Sequence, residues 1–233
     1  MFWRLSLLLV VAVATVTPIR AASGHPVGFK APDGRTVSGL LFEADQKPAA
    51  AVVLVPMLGR PKEDWQAVGQ RLSESNITAL AIDLPANILP DDPGRNTAGW
   101  PGDVTAAVGF LAAQPQVRPT AIGIAGASLG ASMAALAAAG DARVRSIALI
   151  SPSLDYRGIQ IQGAMRQYGS RPALLIASTH DPYALRSAHE LADKPPGIRE
   201  VRPSEAAAHG TLLLTQDADL VRGLIEWFQR TLG

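Results

Sequence analysis

The sequence contains no cysteine. That absence excludes disulfides, thiol catalysis, cysteine-ligated zinc and a lipid-modified N-terminal cysteine. Histidine is sparse: the four residues are His25, His180, His189 and His209, with no spacing that suits a metal. Neither a metal nor an organic cofactor is implied. Charge of one sign is also missing. Lys and Arg total 21 against 20 Asp and Glu, a formal net charge of +1. No long basic run and no interleaving of basic with aromatic residues occurs, so nucleic acid is not an expected partner. There is no internal repeat, no second hydrophobic block and no long insertion. The 233 residues suffice for one domain with a substantial core, and that core must hold without covalent cross-links. Nothing in the sequence fixes an oligomeric state.

What is present begins with a targeting pattern. Met1-Phe2-Trp3-Arg4 supplies one positive charge, Leu5 to Val16 is an apolar run, and Ala21-Ala22-Ser23 are small. The run has the length of a signal-peptide core and is short for a membrane span. Residues 1–22 therefore read as a secretory signal peptide, and residues 23–233 as the domain. The expected location is secreted or, in a Gram-negative source, periplasmic, with no stable membrane insertion after processing. An uncleaved N-terminal tether is the alternative.

Beyond that segment, apolar stretches alternate with turn signals. Val27 to Ala44 reads as an opening strand or hairpin around Pro32-Asp33-Gly34-Arg35. Ala49 to Val55, Thr78 to Leu84, Arg145 to Ile150 and Ala173 to Ala177 suit strands buried in a sheet. Trp65, Val68 and Leu72 share a helical face, as do Val104, Ala107, Val108 and Leu111 within Gly102 to Ala113. Tyr183 to Ala192 reads as a helix and Ile198 to Val201 as a short last strand. Leu220, Leu224, Trp227, Phe228 and Leu232 stripe a closing helix. Pro85 to Pro101 reads as an irregular surface loop, and Pro152 to Ser170 carries only a weak helical pattern. Strands alternating with helices imply an α/β domain. Its sheet should be mostly parallel and doubly wound, with helices on both faces and minimal or no cap.

The informative stretch is Thr120 to Gly140. An apolar strand, Ala121 to Ala125, runs into Gly126-Ala127-Ser128-Leu129-Gly130, and an Ala-rich helix, Leu129 to Ala139, follows. This is G-x-S-x-G between a strand and a helix. A serine passing directly from one to the other sits in a strained turn with its hydroxyl pushed out above the sheet. Glycines two positions to either side remove the collisions that the turn would create. The helix starting after Ser128 aims its free N–H groups at the reaction site.

A serine hydroxyl needs a base, and an imidazole base needs a carboxylate to orient it. In a doubly wound sheet these groups come from loops that follow strands. Asp181 follows the strand Ala173 to Ala177, and His209 follows Ile198 to Val201, so the chain order is Ser, Asp, His. The rivals are His180 for the base and Asp155 for the acid. His180 is adjacent to Asp181, and adjacent residues at a strand end point apart. Asp155 follows the strand Arg145 to Ile150 by a few residues. Two backbone N–H groups should form the oxyanion hole: Leu129, next after the nucleophile, and Leu58 or its neighbour Met57 in the loop Pro56 to Pro61.

These pieces together resemble the α/β-hydrolase superfamily, in the small, lidless branch that includes dienelactone-hydrolase-like and serine-aminopeptidase-like proteins. The matching segments are Val53-Leu54-Val55-Pro56-Met57-Leu58-Gly59, Ala81-Ile82-Asp83-Leu84, Gly126 to Gly130, Thr179-His180-Asp181 and Ala208-His209-Gly210. Many members carry His-Gly in the first loop, where this chain has Pro56-Met57. Dienelactone hydrolases proper use a cysteine nucleophile, and here the residue is Ser128. The resemblance implies a serine hydrolase of carboxylic esters or related acyl compounds, with a small acyl substrate as its partner. A non-catalytic binding or scaffold protein on the same fold is the alternative.

Overall fold

Three of the apolar runs are buried along their entire length: β3 (Ala49–Val55), β4 (Ile77–Ile82) and β9 (Ala173–Ser178). An unbroken run of buried residues has a place only in a sheet covered on both faces. The computed structural model describes residues 24–85, 99–193 and 196–233. The expected signal peptide and residues 86–98 of the expected surface loop lie outside them.

The main sheet has eight strands in the order β1-β2-β4-β3-β5-β6-β9-β10. The others are β1 (His25–Lys30), β2 (Thr36–Phe42), β5 (Val117–Ala127), β6 (Val144–Ile150) and β10 (Arg199–Ser204). Only β2 runs against its neighbours, pairing antiparallel with both β1 and β4, while the pairings from β4 through β10 are parallel. The short ribbon of β7 (Asp155–Tyr156) and β8 (Ile159–Gln160) stands apart from this sheet.

Helices cover both faces. On one lie α2 (Trp100–Ala112), α3 (Leu129–Gly140), α4 (Gln162–Tyr168) and α5 (Pro182–Asp193), around Val108, Leu111, Met133 and Leu191. On the other lie α1 (Gln66–Glu74), α6 (Thr211–Gln216) and α7 (Ala218–Leu232), around Trp65, Leu72, Trp227 and Phe228. The five residues expected to stripe the closing helix are all buried. Asp217 caps that helix by accepting from Asp219 and Leu220 N–H.

Several boundaries differ from the sequence reading. Helix α2 starts at Trp100 rather than Gly102, because Pro101 falls in its first turn, where the missing N–H costs nothing. Strand β5 begins at Val117, ahead of the expected Ala121. The weakly patterned stretch after β6 resolves into the ribbon and the short α4, and nothing larger intervenes before β9. At the far end of the sheet, Arg171 closes the α3–β6 corner. Its guanidinium donates to the carbonyls of Ala138, Asp141 and Val144 and stacks 4.1 Å from the Tyr168 ring.

Candidate active site

The parallel strands end along one edge, and the loops leaving β3, β5, β9 and β10 meet there. Ser128 joins β5 directly to α3 with φ 53° and ψ −117°. A non-glycine residue held at positive φ is strained, and strain of this kind persists only where its surroundings over-determine it. The surroundings are visible. Ser128 N–H donates to Ile150 O at 2.8 Å. A side chain on Gly126 would strike the Gly130 carbonyl, and one on Gly130 would strike the carbonyls of Val55 and Pro56. Gly130 therefore lets the first loop lie directly against the elbow.

The three side chains singled out from the sequence come together. His209 Nε2 lies 2.8 Å from Ser128 Oγ, and His209 Nδ1 lies 2.7 Å from Asp181 Oδ2. An ionised carboxylate can only accept, so Nδ1–H donates to Asp181. Nε2 is then left to accept from the Ser128 hydroxyl. The imidazole is about half exposed and the Asp181 side chain a quarter exposed (48% and 24%), so the site opens to solvent. Asp181 has a second task. Its other oxygen accepts from Ala184 N–H at 3.0 Å, capping α5 ahead of Pro182. One carboxylate oxygen thus faces His209 and the other caps the helix.

The rivals lie elsewhere. His180 is exposed, and its backbone N–H donates to Ser178 Oγ. The carboxylate of Asp155 accepts from Gly158 N–H and Gln160 Nε2, contacts that hold it below the usual carboxylate range, Gln160 contributing most. It serves the β7–β8 ribbon. Leu129 is the first residue of α3 and Leu58 lies in the first loop. Among the described residues, neither N–H has a hydrogen-bond acceptor, which leaves both donors available.

Sequence reasoning missed Ser151, Asp64 and Thr211, which brace this arrangement. Gly210 N–H, next to the imidazole, donates to the buried Ser151 Oγ at 2.9 Å. From the other side, Thr211 Oγ1 reaches Asp64 Oδ2 at 3.3 Å and Met57 Sδ at 3.8 Å. Arg60 grips both oxygens of Asp64. The first loop and the histidine loop are thus bolted together. Asp83 pins the first loop once more, accepting from Lys62 N–H at 2.9 Å and from Lys62 Nζ at 2.8 Å. A hydroxyl after a strand was the only local hint of Ser151; Asp64 and Thr211 had none.

A cavity of about 550 Å³ opens beside the first loop. It is lined by Met57, Leu58, Lys62, Asp83, Arg35 and Asp103 among others. Burial pushes the Asp103 carboxyl up, against the pull of its partner Arg35, whose Nη2 lies 2.9 Å away. Burial pulls Lys62 down, but its contacts with Asp83 and Glu63 outweigh that and hold the ammonium above its ordinary value. Among the described residues, no cluster of His, Cys, Asp or Glu is arranged to hold a metal ion, and no helix is long and apolar enough to cross a membrane.

Residues 52–230 match the profile of the alpha/beta hydrolase family. The chain belongs to that family. Among its relatives, "Thiohydrolase apmlB" of Arthrinium phaeospermum is 31% identical over 146 residues, covering 61% of this chain and 47% of that protein. "Polyketide transferase ATR5" of Stachybotrys chlorohalonatus is 31% identical over 157 residues, covering 63% and 52%. The matched part thus spans about half the length of these relatives. The fold is also that of the dienelactone hydrolase from Anabaena variabilis, with a TM-score of 0.75 at 17% identity over 92% of this chain and 100% of that one. A cold-adapted esterase from an Arctic intertidal metagenomic library gives a TM-score of 0.70 at 23% identity over 90% and 94%.

Proposed function

We propose that this chain is a serine hydrolase that cleaves carboxylic esters through an acyl-enzyme on Ser128. The observation that carries the reading is the relay from Ser128 Oγ to His209 Nε2, 2.8 Å, and from His209 Nδ1 to Asp181, 2.7 Å. In this reading Ser128 Oγ attacks the acyl carbonyl as its proton passes to Nε2, and Asp181 stabilises the imidazolium that forms. The developing oxyanion is received by the N–H groups of Leu129 and Leu58. His209 then protonates the leaving group, and water, activated in turn by His209, releases the acid. No cofactor enters this scheme. The targeting pattern in residues 1–22 supports a secreted or periplasmic setting.

The relative named a thiohydrolase favours a second reading on the same machinery, hydrolysis of an acyl thioester. A non-catalytic scaffold is the opposing reading. Labelling with a fluorophosphonate probe and turnover of chromogenic acyl esters decide between them. Wild type should label and turn over, and Ser128→Ala should lose labelling and at least about a thousandfold in kcat. Absence of labelling in folded wild type, or undiminished turnover in Ser128→Ala, overturns the assignment. Parallel assays on acetyl and butyryl thioesters separate the two hydrolytic readings.

A further inference from the structure

The cavity beside the first loop carries an inference about the acyl group, one that rests on the hydrolase reading above. Its position comes from the sheet order. His209 and Asp181 leave β10 and β9, to one side of the elbow that ends β5. The cavity lies across β3, β4 and β2, to the other side, and borders Leu58. A leaving group must sit against the His209 imidazole that protonates it. The substituent on the acyl carbon then points the opposite way, toward the cavity.

The walls are not those of a fatty-acyl tunnel. Two ion pairs face the space, Lys62 with Asp83 at 2.8 Å and Arg35 with Asp103 at 2.9 Å. Asp103 is already shielded, but packing an alkyl chain on the other three, Lys62, Asp83 and Arg35, would strip them of water and return no hydrogen bond. The unspent capacity is on the donor side. Among the described residues, Arg35 Nη1 has no acceptor, and the Lys62 ammonium, with three N–H bonds, is paired to two carboxylates. Among the described residues, the lining holds three cations, Arg35, Arg60 and Lys62, and three anions, Glu63, Asp83 and Asp103. Its formal charge therefore balances, which gives a carboxylate no net attraction.

We infer that this cavity is the acyl subsite and that it takes an uncharged, oxygen-bearing acyl chain, with ether, hydroxyl or keto oxygens, in preference to a plain alkyl chain. Lys62 and Arg35 are the groups that would read those oxygens.

The test uses p-nitrophenyl esters of matched length on the whole protein: heptanoyl, (methoxyethoxy)acetyl with oxygens replacing two of its methylenes, and the anionic hemiadipyl. Each kcat/KM is divided by the ester's hydroxide-catalysed rate, which removes its intrinsic reactivity. The expected result is a preference for (methoxyethoxy)acetyl over heptanoyl on the order of tenfold, the scale set by a few groups in a pocket. Lys62→Met should shift that ratio toward heptanoyl, and Lys62→Arg should restore it. Equal use or a preference for heptanoyl overturns the subsite while leaving the hydrolase intact. A preference for hemiadipyl overturns it in favour of an anion site. No turnover of any ester, with no fluorophosphonate labelling, removes the hydrolase reading and the subsite with it. The wild-type ratio alone decides the matter if a variant does not fold.

Discussion

Asp181 is one carboxylate with two employers. One oxygen fixes the His209 tautomer and the other caps α5. The two roles separate by substitution. Asn is as good a cap as Asp, so Asp181→Asn should stay within about 1 kcal/mol of wild-type stability. Its amide cannot stabilise an imidazolium, and kcat should fall by roughly ten-thousandfold. Asp181→Ala should lose comparable activity and in addition about 1 kcal/mol from the missing cap. Urea denaturation beside steady-state kinetics on a chromogenic ester checks both. Equal stability of the two variants would remove the capping role. The same economy recurs at Asp217, where one oxygen caps α7 and the other accepts from Ser204 Oγ at 2.6 Å in β10.

Among the elements, the corner between α3 and β6 depends on a distant side chain. Arg171 satisfies three carbonyls there at 2.7 to 2.9 Å, and its own Nε donates to Tyr168 O at 3.0 Å. Burial pushes the guanidinium pKa down and drives the Tyr168 phenol well above its ordinary value. Arg171→Met keeps much of the stem's packing but removes the donor those carbonyls share, of which Asp141 O keeps Val144 N–H at 3.2 Å. It should cost about 3 kcal/mol in urea denaturation, the scale for buried acceptors left unsatisfied. A loss below 1 kcal/mol would mean that water replaces the guanidinium. Such corners show why sequence reading has a limit. β3, β4 and β9 are legible because an unbroken apolar run fits only a sheet covered on both faces. Ser128 and Asp181 are legible because each sits just past such a strand, and His209 because it follows the last, half-buried strand in the expected order. The β7–β8 ribbon is not legible: its strands are two residues each, too short for any periodicity. Ser151, Asp64, Thr211 and Arg171 escape for a related reason. Their partners lie 59, 147 and about 30 residues away, and no local pattern marks a contact made only in the folded chain.

For the whole molecule, the sheet is the shared floor of two apolar layers. Trp100 belongs to one layer, and Trp65 and Trp227 to the other. Each strand contributes alternate residues to both, so neither layer should persist without the other. Urea unfolding followed by tryptophan fluorescence in a Trp100→Phe variant of residues 23–233, whose remaining tryptophans Trp65 and Trp227 report the α1–α7 side, should give the same midpoint as circular dichroism of the whole domain. Separate midpoints would show that the layers melt independently. The order of the chain adds a consequence in time. Ser128 is translated long before His209, and the histidine loop hangs from β10, which among the described residues pairs with β9 alone, at the rim of the sheet. Until the ribosome has passed residue 209, the hydroxyl at the elbow lacks the His209 imidazole that faces it in the folded chain. The Ser128–His209–Asp181 relay is therefore absent from every shorter nascent chain.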